Sequence, residues 1–202
     1  METKDTYKTI TKPSEEGLFK DKNSKFFAYA FPVKSEDDVK LYLEKLKKEH
    51  YAARHWCYAY QLGTETLRYR ANDDGEPNNS AGMPIYGQIQ SFELTNVLVV
   101  VVRYFGGVKL GVGGLINAYR TVAQMALENT QIVEKTIDTQ FKIQFDYKHM
   151  SRVMRILKDN TAEIDSQKLE LDCVLTVSVR KGHANKLLDT FSSFYEISIT
   201  KL

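Results

Sequence analysis

Residues 97–115 read VLVVVVRYFGGVKLGVGGL, and this stretch decides the fold of the chain around it. Its first six residues are all apolar, a run too short for a helix of this composition and without a polar face. Such a run is typical of a central strand covered on both faces. After the glycines, apolar residues recur at helical spacing: Leu115, Tyr119, Val122 and Ala126. The stretch therefore predicts a buried strand, a glycine-rich turn, and a helix from about Gly114 to Asn129.

The glycine-rich turn is a candidate binding site. It does not match the phosphate-loop pattern, because Val112 follows Gly111 where that pattern needs lysine, and Ile116 takes the last glycine position of the dinucleotide pattern. Two interpretations stay open: a turn that needs glycine for its backbone alone, or a helix start whose N–H groups bind an anion or a partner. The candidates for the second are the glycines and nearby cations: Arg103, Gly106, Gly107, Lys109, Gly111, Gly113, Gly114 and Arg120.

A second loop, residues 72–84 (NDDGEPNNSAGMP), concentrates carboxylates at Asp73, Asp74 and Glu76. Three carboxylates with Asn neighbours could ligate Mg²⁺ or Ca²⁺, but the EF-hand spacing is absent. The glycines and prolines more simply fix sharp turns, in which Asp and Asn accept local backbone hydrogen bonds. We therefore expect no metal and no cofactor, and keep the three carboxylates as secondary site candidates.

His55 and Cys57 are two residues apart on a predicted strand, so their side chains point to the same face. Same-face neighbours on a strand lie about 6 to 7 Å apart, which is too far for a base to activate a thiol directly. We expect Cys57 and Cys173 to be reduced structural thiols, and keep His55 as a secondary candidate. The common hydrolase signatures are missing, so no catalytic residue is assigned.

Composition excludes several classes of protein. The chain has 202 residues and a net charge of +2, and neither half is strongly basic, so any nucleic-acid surface must be local. No apolar run approaches the roughly 20 residues of a membrane span, and the polar first residues lack the apolar core of a signal peptide. We therefore expect a cytoplasmic protein.

The flanking segments predict an α+β protein of two domains. Before the decisive stretch come a strand near residues 25–33, a helix whose capping box is Ser35 and Asp38, and a hairpin around Gly63. After it, the pattern reads βαββαβ, which is a ferredoxin-like unit. Its open sheet face carries polar residues without aromatic ones, which disfavours RNA binding by base stacking. The predicted domains are residues 1–134 and 135–202, with a boundary near 131–138.

Four blocks in order resemble the signature of the IMPACT/YigZ family: DDGEP (73–77), SAGMPI (80–85), VVVVRYFGGVKLGVGGL (99–115) and AYR (118–120). The resemblance covers nearly the whole chain. It implies an N-terminal domain like the second domain of a small-subunit ribosomal protein, and a C-terminal domain like the last domain of elongation factor G. Eukaryotic relatives regulate translation by competing for a large protein that activates the amino-acid-starvation kinase, and they use an added N-terminal domain that we expect this chain to lack.

Two hypotheses of function follow. The first is a non-enzymatic cytoplasmic regulator of translation, which contacts the ribosome, RNA or an acidic protein partner through the glycine turn and its cations. The alternative is an enzyme that acts on a phosphorylated or nucleotide substrate with a divalent metal held by the acidic loop. A third interpretation, an interaction module whose polar second sheet binds protein, also stays open. The resemblance supplies no catalytic residue for any of them.

Overall fold

The computed structural model describes residues 5–202, and this part of the chain forms two compact units. The first unit is Tyr7–Lys135. The second is Thr136–Leu202, together with Asp5 and Thr6. Both helices and sheets are present in each unit, so the predicted α+β class is confirmed. No helix within residues 5–202 is both long enough and apolar enough to cross a membrane.

The first unit is built on a five-stranded antiparallel sheet. Its strands are β2 (Gly17–Asp21), β3 (Ser24–Pro32), β4 (His55–Leu62), β5 (Arg68–Asn72) and β6 (Val97–Tyr104), in the spatial order β2-β3-β6-β4-β5. Strand β6 lies in the centre, and residues 97–102 are fully buried. The prediction of a central strand covered on both faces is therefore confirmed.

Helices cover both faces of this sheet. Two of them, α2 (Gly82–Ser91) and α3 (Gly111–Glu128), pack on one face, and α1 (Glu36–Glu49) packs on the other. Helix α1 begins with the predicted capping box between Ser35 and Asp38. Helix α3 begins at Gly111 rather than at Gly114, so the last glycines of the turn form its first turn.

Two strands near the ends of the first unit were not predicted. Strands β1 (Thr6–Ile10) and β7 (Ile132–Thr136) form a separate two-stranded sheet. Strand β7 occupies residues that the sequence pattern had assigned to a domain boundary. Buried and exposed residues do not alternate along β7. A regular alternation of apolar and polar residues is the signal by which a sequence indicates a half-buried strand.

The second unit has the predicted βαββαβ order. Its elements are β8 (Asp138–Asp146), α4 (Met150–Asp159), β9 (Glu163–Lys168), β10 (Asp172–Arg180), α5 (Lys181–Ser192) and β11 (Ile197–Lys201). The strands pair antiparallel in the order β11-β8-β10-β9, which is the ferredoxin-like topology. Phe141, Ile143 and Phe145 alternate into the core beneath α4 and α5. The opposite face of β8 carries polar side chains, as predicted.

Candidate functional site

A buried ion pair joins the central strand to the acidic loop. Arg103, near the end of β6, places Nη1 2.6 Å from Oε1 of Glu76, and the two side chains are only 6% and 4% exposed. The guanidinium makes cation–π contacts with two aromatic rings, with Cζ 5.3 Å from the ring centroid of Phe26 and 5.4 Å from that of Phe105. Arg103 is therefore not a free surface cation, because its charge is balanced inside the protein.

The same carboxylate connects to two more side chains of the core. Tyr119 of α3 donates its hydroxyl to Glu76 Oε1 at 2.7 Å. The thiol of Cys57 lies 3.3 Å from that hydroxyl and 2.9 Å from the carbonyl oxygen of Asp73, so it can donate its single proton to either. Burial raises the pKa of Cys57 and also that of Tyr119. Burial therefore favours the protonated thiol, and a protonated thiol is a poor nucleophile.

The other two acidic residues of the loop bind backbone N–H groups. Asp73 accepts from Ala81 and Gly82 through Oδ1, at 2.9 and 2.8 Å, so its carboxylate neutralises the start of α2. Asp74 accepts from the backbone N–H of Trp56 at 2.7 Å.

His55 donates from Nδ1 to the carbonyl oxygen of Asp74 at 2.9 Å, which holds the loop against β4. Within residues 5–202, no group of three or more His, Cys, Asp or Glu side chains is placed to hold a metal.

A cleft opens beside the ion pair, at the start of α3. It encloses about 310 Å³. We call it the α3 cleft, and its lining is Glu76, Pro77, Arg103, Phe105, Lys109, Leu110, Gly111, Val112 and Leu115. The walls are mostly apolar, and the charged groups are the Arg103–Glu76 pair and Lys109. The structure thus brings Arg103, Glu76, Lys109 and Gly111 of the predicted candidates together.

Three glycines of the turn have a structural reason to be glycine. Gly107 and Gly111 adopt φ values of +85° and +77°, which side chains disfavour. A Cβ on Gly106 would lie 2.1 Å from the backbone of Asn23. Gly113 has neither constraint, since its φ is ordinary and a Cβ would meet no atom within 4 Å. The backbone interpretation therefore accounts for most of the turn but not for all of it.

The three predicted cations do not form one surface. Arg103 is buried, Lys109 is exposed and lines the cleft, and Arg120 is exposed but is not part of the lining. The exposed apolar residues close to Lys109 in the chain are Phe105, Val108 and Val112, at 51%, 46% and 53% exposure, and Phe105 and Val112 also line the cleft. This apolar rim is the main feature of the site that the sequence reasoning did not single out.

Other site residues were also missed, and each has a recognisable cause. Ser24 hydrogen-bonds Nη2 of Arg103 at 3.4 Å and accepts from Gly106 N at 3.1 Å, but it lies 79 residues before Arg103 in sequence. Tyr119 was assigned to the apolar stripe of α3, and its polar end gave no signal. A usable signal was Arg103 itself, because an arginine near the end of an apolar strand needs a buried acceptor.

Comparisons with known proteins agree on a family. Residues 22–127 match the family model described as the Impact N-terminal domain. This range includes the lining of the α3 cleft and the side chains that are hydrogen-bonded to Glu76. An IMPACT family member of Haemophilus influenzae is 35% identical over 174 residues, covering 85% of this chain and 82% of that protein. The IMPACT family member YigZ of Escherichia coli is 29% identical over 160 residues, covering 78% of each chain.

A crystal structure described as that of a hypothetical protein is similar along the whole chain. Its TM-score is 0.73 at 24% identity, and the match covers 99% of this chain and 98% of that one. This likeness shows the fold. The family model spans more than half of the 202 residues, and the H. influenzae relative exceeds 30% identity over most of its own length. The chain therefore belongs to the IMPACT family.

Proposed function

We propose that this protein is a non-enzymatic, cytoplasmic regulator of translation that binds a protein partner of the translation machinery through the α3 cleft. The family resemblance supports the link to translation. The observation that carries the choice of surface is the exposed apolar rim: Phe105 and Val112 line the cleft together with Lys109, and exposed Val108 directly precedes Lys109 in the chain. Contiguous exposed apolar side chains beside a cleft are typical of sites that bind proteins or ligands.

The charges of the site favour a protein over an RNA. Glu76 balances Arg103, so Lys109 is the single uncompensated charge among the residues that line the cleft. A protein that binds a phosphate backbone uses several Lys or Arg side chains, and much of the binding free energy comes from the counterions that these side chains displace from the phosphates. One net positive charge within an apolar rim instead suits an acidic group flanked by apolar side chains.

The enzyme alternative keeps one supporting observation. Glu76 and Gly111 line the same cleft. The enzyme alternative requires such an arrangement, because a carboxylate that ligates a metal and a turn that binds phosphate must meet at one site. Against it, the Glu76 carboxylate already binds Arg103 and Tyr119, and Asp73 and Asp74 accept backbone N–H groups. The acidic loop thus has a structural role that uses all three carboxylates.

Sucrose-gradient sedimentation of the tagged full-length protein tests the proposal. We expect the protein to travel with ribosomal particles at low salt, and both Lys109→Glu and Val112→Asp to abolish co-sedimentation. The matched control is Lys12→Glu, which makes the same charge change at an exposed lysine outside the cleft lining. The control should sediment as the unmodified protein does.

Two outcomes would contradict the proposal. If no protein travels with the particles, or if all three variants lose co-sedimentation to the same extent, the α3 cleft is not the contact surface. A fall in affinity of about 10³-fold or more between 50 and 200 mM salt would indicate phosphate contacts, and hence RNA, instead of a protein partner.

A further inference from the structure

The start of helix α3 has donors without side-chain acceptors. Its N-cap residue, Leu110, makes no side-chain capping bond, and no acidic residue lies in its first turn. Helix α1 differs, because Ser35 and Asp38 cap it and three acidic residues occupy its first turn. The first N–H groups of a helix have no partner within the helix, and the helix dipole adds positive potential there. The α3 start is therefore suited to an anion.

A second donor in the same cleft also lacks an acceptor. Nε of Arg103 is buried and has no hydrogen-bond partner among residues 5–202, although Nη1 and Nη2 are bonded. Arg103 lines the cleft, and the ring that lies over its guanidinium, Phe105, is half exposed. Within residues 5–202, two independent sets of donors thus lack an acceptor at one place.

The charge of the cleft matches a monoanion. By their formal charges, Arg103 and Lys109 each contribute one positive charge and Glu76 contributes one negative charge. The remaining single positive charge balances a carboxylate, whereas a phosphate dianion would stay under-compensated. The Glu76 carboxylate beneath the cleft adds repulsion that grows with the charge of the ligand.

The size and the apolar walls of the cleft limit which kind of molecule can supply that carboxylate. Its volume of about 310 Å³ lies at the lower end of the range for ligand pockets, which is roughly 300 to 1,000 Å³. This space suits one apolar residue with its terminal carboxylate, and it is small for a nucleotide. Leu110, Val112 and Leu115 supply apolar walls for such a side chain.

We propose that the α3 cleft binds the free C-terminal carboxylate and the apolar last side chain of a partner protein. The carboxylate accepts from the first N–H groups of α3, with Lys109 and Arg103 as the charged neighbours, and the last side chain packs between Phe105 and the apolar walls. Capture of a chain terminus by exposed backbone N–H groups is a known mode of peptide recognition. The inference rests on the proposed function and specifies its partner.

Titration of the ¹⁵N-labelled full-length protein tests the inference, with N-acetyl-Ala-Ala-Leu as the probe. We expect saturable shifts of the amide resonances of Val112, Gly113 and Gly114. The same peptide with a C-terminal amide should bind at least about tenfold more weakly, since it loses a charge-assisted hydrogen bond. Equal binding of acid and amide, or no shift of these resonances, would overturn the inference.

Matched variants locate the carboxylate. Val112→Asp places a negative charge in the first turn of α3, where a helix tolerates it, and should weaken the binding of the acid at least about tenfold through repulsion. Asn117→Asp adds the same charge at an exposed position of α3 outside the cleft lining, and should leave binding within about twofold. Equal effects of the two variants would contradict a carboxylate at the helix start.

Two further probes separate the sources of the anion. If inorganic phosphate shifts the same resonances to saturation at the same concentration as the tripeptide, the cleft is a general anion site. Acetate that shifts these resonances to saturation at the same concentration as the tripeptide would indicate a carboxylate site that does not recognise an apolar last side chain. Either result would overturn the assignment to a chain terminus. Neither depends on sedimentation, so a failure of this inference is distinguishable from a failure of the proposed function.

Discussion

Arg103 carries a charge that is buried inside the first unit. It lies next to the last residue of strand β6, and its charge is buried with that of Glu76 from a loop 27 residues earlier. Removing two charges from water costs several kcal/mol per ion, and only close hydrogen bonds offset that cost. Here Glu76 accepts from both Arg103 and Tyr119, while Arg103 makes a cation–π contact with Phe26. The pair thereby fixes the acidic loop against β6 and α3.

Breaking this pair should destabilise the protein strongly. Glu76→Gln leaves the guanidinium charge buried without a counter-ion, so we expect the free energy of unfolding to fall by about 3 to 5 kcal/mol. Urea unfolding followed by the fluorescence of Trp56, the one tryptophan, measures it within the first unit. Lys40→Gln breaks an exposed pair with Asp37 and should leave the urea midpoint almost unchanged, because water screens that pair. A loss of similar size in both variants would contradict the structural role of the buried pair.

At the scale of elements, the turn between β6 and α3 combines two requirements. The chain must reverse sharply after a strand covered on both faces, and Gly107 and Gly111 provide the left-handed conformations for this reversal. The helix that follows begins without a side-chain cap, which leaves its first N–H groups to an external acceptor. A turn needed for the fold therefore also creates the proposed binding site.

The glycines of this turn should respond differently to alanine. Gly113 lies in a helix at ordinary φ with open space around it, so Gly113→Ala should raise the free energy of unfolding by about 0.5 to 1 kcal/mol. Gly111 has φ +77°, so Gly111→Ala should lower that free energy by about 1 kcal/mol or more. Urea unfolding of both variants measures the contrast. A loss of stability in Gly113→Ala would show a constraint at that glycine which the backbone does not display.

At the scale of the whole molecule, each unit has its own hydrophobic core. The two core clusters of the first unit lie on opposite faces of its sheet and use only residues of Tyr7–Lys135. The cluster of the second unit uses only residues of Thr136–Leu202. Because hydrophobic burial is the main favourable term in folding, a unit with a complete core has the means to fold alone.

A fragment of residues 7–135 should therefore fold without the rest of the chain. We expect a cooperative urea transition by Trp56 fluorescence, with a midpoint near that of the same transition in the full-length protein. Far-UV circular dichroism should show a matching loss of helix and strand signal. A fragment with no cooperative transition would mean that residues outside 7–135 complete this core, and would move the proposed domain boundary.

Much of the fold could be predicted because its signals are local. The burial of residues 97–102 follows from an unbroken apolar run, and the start of α1 follows from Ser35 and Asp38 three residues apart. Strands β1 and β7 escaped prediction, because a strand defined by a distant partner leaves little trace in its own sequence.

By itself, the sequence determined the α+β class, the central strand, the glycine turn and the ferredoxin-like second unit, since periodicity and backbone preference act within one segment. Only the tertiary structure decided how the charges of the site are used. Arg103 was counted among three cations of one surface, yet it is paired with Glu76, while Lys109 remains exposed beside an apolar cleft. Whether a charge faces water or a buried counter-ion depends on contacts between segments distant in sequence, and no local pattern encodes those contacts.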